Sequence, residues 1–83
     1  MNATTTLIRT EVHIGFWPEF RPKSRFRAEL KMTEEVRART GITARANWKV
    51  IGHADNLRDV TKAAEVWLQE NLPNAIVVFK DFT

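Results

Sequence analysis

The stretch DNLRDVTKAAEVWLQEN, residues 55–71, decides the fold. Leu57, Val60, Ala64, Trp67 and Leu68 recur at helical spacing, and Arg58, Lys62, Glu65 and Gln69 fall on the opposite side. Asp55 stands where an N-cap belongs, and Leu72-Pro73-Asn74 ends the run. The pattern predicts one amphipathic helix over about 55–71, whose apolar stripe needs a second layer to cover it.

That layer reads as a sheet. In residues 6–16, Ile8, Thr10, Val12, Ile14 and Phe16 alternate with Arg9, Glu11, His13 and Gly15, the period of a half-buried strand. Phe26, Ala28, Leu30 and Met32 alternate with Arg25, Arg27, Glu29 and Lys31. On a helix those four apolar residues share no face, so a second strand, hairpin-paired with the first, is expected. Helix propensity over 24–40 keeps a helix as the alternative. Thr33 to Gly41 carries helix punctuation, with a Thr cap, acids first, bases last and glycine after the end, and predicts a short helix over about 33–40. Ala44, Ala46, Trp48 and Val50 alternate with Thr43, Arg45, Asn47, Lys49 and Ile51 in a third strand, which places Trp48 in the core beside Trp67. Residues 75–82 form a fourth strand. Its centre, Ile76 to Phe79, is apolar on both parities and so is expected inside the sheet or under cover. The fold class is therefore α+β: an antiparallel or mixed four-stranded sheet with the long helix packed on one face, in a single domain over 1–83.

At 83 residues, with 43% hydrophobic residues, three Trp, five Phe and no Cys, the chain can pack one small core without disulfides or a thiolate metal site. No apolar run is long enough to span a membrane, and Met1 to Thr6 lacks the pattern of a signal peptide. A cytoplasmic location without membrane partners is expected by default.

The net charge of +3 conceals an asymmetry. Residues 21–49 hold nine basic residues against three acids, whereas the remainder is net acidic. Alternation gathers Arg9, Arg25, Arg27, Lys31, Arg45 and Lys49 on the sheet face away from the long helix, with Arg21 and Lys23 in the preceding loop. Such a surface suits nucleic acid or another acidic partner, including a nucleic-acid-binding protein complex. A solvated face with Arg–Glu cross-strand pairs is the plainer alternative. On this parity the exposed side of the first three strands carries no aromatic ring on which a base could stack.

The loop Phe16-Trp17-Pro18-Glu19-Phe20-Arg21-Pro22 is a second candidate surface. Phe16, Trp17 and Phe20 beside an arginine on a proline-stiffened loop resemble a protein-contact hot spot, although the phenylalanines can equally fold back to close a small core. Catalytic chemistry has few carriers: no Cys, no Tyr and one serine, Ser24. His13 and His53 could both reach the exposed sheet face as an acid–base pair for a small ribonuclease, but their spacing fits no metal motif. No cofactor loop is present, since Gly15, Gly41 and Gly52 are isolated. The expected function is a non-enzymatic binding module for nucleic acid or a nucleic-acid-handling complex. A protein-directed inhibitor of a host defence complex, encoded by a mobile element, is the alternative, and a homodimer is one assembly such a chain could form.

Overall fold

The computed structural model of the chain describes residues 7–16 and 25–83. In chain order the elements are β1 (Arg9–Phe16), β2 (Phe26–Lys31), α1 (Glu34–Thr40), β3 (Trp48–Ala54), α2 (Leu57–Asn71) and β4 (Ile76–Asp81). The sheet order is β3-β2-β1-β4, with β1 antiparallel to β2, β2 antiparallel to β3, and β4 parallel to β1. The sheet is thus mixed, and α2 carries the chain from one edge strand to the other. Residues 25–32 resolve as strand because their two-residue period buries Ala28, Leu30 and Met32 together, which no helix could do.

One face of the sheet makes the core. Ile8, Val12 and Ile14 from β1 and its approach meet Ala28, Leu30 and Met32, and α2 supplies Val60, Ala64 and Leu68. Val36 joins from α1, while Trp67 and Val77 pack half-buried at the margin. Fully burying a Val or Leu side chain contributes about 1.5–3 kcal/mol, so this short set of residues carries most of the drive to fold. Thr10 is the one polar residue among them, and its hydroxyl donates to Lys31 C=O at 2.8 Å.

The helix ends are chemically closed. Thr33 Oγ1 accepts from Val36 N–H at 3.1 Å, and Gly41, at φ 75°, ends α1 in the left-handed conformation that glycine adopts without strain. For α2 the cap is Asn56 rather than Asp55. Asn56 Oδ1 accepts from Asp59 N–H at 2.9 Å, while its amide nitrogen donates to the Asp59 carboxylate at 3.0 Å. A single amide serves both partners, which a carboxylate beside Asp59 could not do. The helix therefore begins one residue later than the pattern suggests, and Leu57, in its first turn, is 38% exposed rather than in the core.

β3 departs most from simple alternation. It starts only at Trp48. Residues 42–47 instead form a connection gripped by Arg37, whose guanidinium donates to the carbonyls of Ala44, Arg45 and Ala46 at 3.1, 3.4 and 2.9 Å. Between the pairs Ala28↔Gly52 and Glu29↔Val50, Ile51 is the extra residue of a β-bulge. Ile51 is buried, and Gly52 also faces α2: a Cβ there would stand 3.0 Å from Ala63 Cβ and 3.2 Å from Ala64 N. The backbone of β3 and the helix lie so close that any side chain here would press the helix back. β4, expected inside the sheet or under cover, is instead an edge strand paired with β1 alone among the described residues, with Ile76 and Val78 exposed.

Candidate functional site

The bulge sets which side chains of β3 share the face away from α2. Val50 pairs with Glu29, Trp48 with Lys31, and His53 with Arg27, so these three belong with the odd-numbered positions of β1 and β2. Trp48 is thus on the open face, not in the core. Its indole lies against His13, with ring centroids 4.3 Å apart and planes 43° apart. On the other side of the imidazole stands Phe82, just beyond β4, with centroids 4.8 Å apart. Trp48, His13 and Phe82 form one row of rings running across the sheet, with Phe82 64% exposed.

Polar contacts fix the middle ring. His13 Nε2 lies 2.5 Å from Glu11 Oε1, and Glu11 Oε2 lies 3.5 Å from Lys80 Nζ. The register makes this possible, since His13 sits opposite Lys80, and Glu11 lies two residues away on the same face. The hydrogen bond from His13 is the main influence holding the Glu11 carboxyl below its ordinary range, helped by the Lys80 charge and opposed by partial loss of water. With the carboxylate ionised, Nε2 carries the proton and donates it.

Around the rings lie Arg9, Arg27, Lys31 and Lys80, with Arg25 following by alternation, against two acids, Glu11 and Glu29. The face is basic on its β2 side and apolar along β4, where Ile76 and Val78 are exposed. Flat rings, a stiff strand scaffold and surrounding cations can stack a planar base and neutralise its phosphates.

Two expected members of this face lie elsewhere. Lys49 pairs with fully buried Leu30 and so projects on the helix side. Arg45 is exposed in the connection before β3, beside Glu34, Arg37, Thr43 and Asn47. The bulge and the late start of β3 are the physical reason for both. Phe16 ends β1 exposed and rests on Phe26, with centroids 5.2 Å apart. Trp17, Phe20, Arg21 and Lys23 lie outside the described residues. His13 and His53 share the open face, but β2 runs between their strands. Sequence reasoning missed Trp48, Phe82 and Lys80 as members of the face. The alternation of Ile76, Val78, Lys80 and Phe82 was a readable signal for the last two.

Among the described residues there is no group of three His, Cys, Asp or Glu able to hold a metal, and no helix is long and apolar enough to cross a membrane. No protein family, curated protein or solved structure compared with this chain matches it.

Proposed function

We propose that this chain is a nucleic-acid-binding module that acts by binding rather than by catalysis, taking a single strand across the open face of the sheet. The observation that carries this reading is the ring row Trp48–His13–Phe82, set among Arg9, Arg27, Lys31 and Lys80. Rings alone would suit any apolar ligand, and cations alone any polyanion; together they match a polymer with flat bases and one charge per unit. A duplex hides its base faces, so the stacking part of the site favours single strands. His13 supports a binding role over acid–base chemistry. Its ring is held between two others and its Nε2 is committed to Glu11, the arrangement of a fixed platform.

Fluorescence anisotropy with labelled single-stranded RNA, single-stranded DNA and duplex DNA at two salt concentrations tests the proposal. Single strands should bind more tightly, with a log–log salt slope near −0.7 per phosphate contacted. Trp48→Ala should weaken binding about 5- to 150-fold, the equivalent of one stacked base at about 1–3 kcal/mol. The double variant Arg9→Glu, Lys31→Glu should weaken binding to every sequence and flatten the salt slope. Absence of binding at low salt, or a Trp48→Ala variant that binds as tightly as the parent, refutes it.

A further inference from the structure

The two edges of the sheet differ. Each carries one lysine, Lys49 in β3 and Lys80 in β4, but β3 also carries a bulge at Ile51, a device that keeps an edge from pairing. β4 has neither bulge nor proline, and its apolar run is uncovered: Ile76 is 39%, Val78 52% and Phe79 36% exposed. The phase of its hydrogen bonds is set by Ile76 N–H donating to Ile8 C=O at 2.8 Å and Phe82 N–H to Ile14 C=O at 2.9 Å. In a parallel ladder every second residue bonds the neighbouring strand with both its groups. Even-numbered positions of β4 thus face β1, and the N–H and C=O groups of Val77, Phe79 and Asp81 aim outward.

We propose that a second copy of this chain occupies that edge, pairing β4 with β4 antiparallel about a two-fold axis at Val78. A two-fold pairing of this kind joins residues of equal parity, and few registers remain. With the axis at Val78, Val77 and Phe79 of the opposing copies exchange two hydrogen bonds, and again on the other side of the axis. Ile76 then lies under the aliphatic stem of Lys80, and the exposed apolar residues of β4 are all covered. With the axis at Phe79, Asp81 meets Val77 and the carboxylate is set against an apolar side chain. With the axis at Lys80, two ammonium groups face each other. Of these three registers, only the one at Val78 pairs residues 76–80 with each other without a charge conflict. The axis is normal to the sheet, so both ring rows come to lie on the same side of one eight-stranded sheet.

Val78 meets its own copy as a non-hydrogen-bonded pair, with Cα atoms about 4.5 Å apart, within disulfide reach. The chain has no cysteine, so single introduced thiols report cleanly. Sedimentation of the full chain without nucleic acid, from about 1 μM to 1 mM, should show twice the single-chain mass of 9.6 kDa at the upper end. Val78→Lys should run as a single chain with an unchanged circular dichroism spectrum. On mild oxidation Val78→Cys should cross-link to itself. Ile76→Cys should not, because its own copy sits four residues along, about 13 Å away, yet it should cross-link when mixed with Lys80→Cys. A single-chain mass at every concentration overturns the proposal. So does a dimer that survives Val78→Lys and fails to cross-link through Val78→Cys. Since no nucleic acid is present, the outcome is independent of the proposed function.

Discussion

Gly52→Ala tests whether the contact between α2 and β3 sets the fold. The added methyl would stand 3.0 Å from Ala63 Cβ, 3.2 Å from Ala64 N and 3.4 Å from Val60 O. Carbon atoms pack best at about 3.5–4.0 Å, so the helix must retreat by a few tenths of an ångström. Two of the three obstacles are backbone atoms, which no rotamer change can move. Overpacking of this kind costs about 1–3 kcal/mol. Against it stands a gain of about 0.4–1 kcal/mol, because alanine has less conformational freedom than glycine to lose on folding. The net loss should be about 1–2 kcal/mol, which for a domain of this size lowers Tm by about 5–15 °C. Thermal and urea melts followed by circular dichroism read this directly. Ala63→Gly removes the nearest obstacle, and although alone it costs about 1 kcal/mol of helix propensity, in the Gly52→Ala background it should return part of the loss. The double-mutant cycle should therefore show a coupling above about 0.5 kcal/mol. A Gly52→Ala variant as stable as the parent, or strictly additive effects in the cycle, would refute the reasoning.

Two further predictions follow from the packing and the charges. Leu68→Ala should destabilise by about 2–5 kcal/mol and Leu57→Ala by less than about 1, because Leu68 is buried against the sheet and Leu57 is 38% exposed; equal melting temperatures would contradict the helix register. Glu11 has its folded-state carboxyl lowered below the ordinary value of 4.5, so the stabilisation it contributes is present above that value and lost as the pH falls through the lowered one. The parent should therefore lose more stability than Glu11→Gln between neutral pH and about pH 3, as melts at stepped pH would record; parallel curves for the two would count against the Glu11–His13 contact.

The long helix, β1 and β2 were legible in the sequence because each carries one period over its whole length, and α1 because caps mark both its ends. Val60, Ala64 and Leu68 define a helix face whatever lies above it, and Ile8 to Ile14 define a strand face likewise. β3 was misread for a physical reason. Its true start is set by Arg37 holding the carbonyls of residues 44–46, and its parity by a bulge that inserts Ile51. Neither a side-chain grip on backbone carbonyls nor an inserted residue leaves a periodic trace. The apolar centre of β4 misled in another way. A run apolar on both parities reports that both faces avoid water, but not whether a neighbouring strand or a second molecule excludes it.

The same error hid the rings of the candidate site. A parity that buries Trp48 leaves a face of charge alone, and charge alone points weakly to function. The folded chain disperses the basic segment: Arg37 is spent on carbonyls, Arg45 lies outside the strands, and Lys49 points to the helix side. Arg9 and Lys80 on the open face come from the part of the chain that is acidic overall. In the proposed complex, the pull of exposed cations on a strand's phosphates is weakened by salt, whereas stacking of a base on Trp48 or Phe82 is far less so. If binding were charge alone, affinity would vanish at moderate salt and every cation would count alike. The proposal instead predicts a residue of affinity that persists as salt rises and disappears with Trp48, and the salt titration of the parent beside Trp48→Ala separates the two contributions.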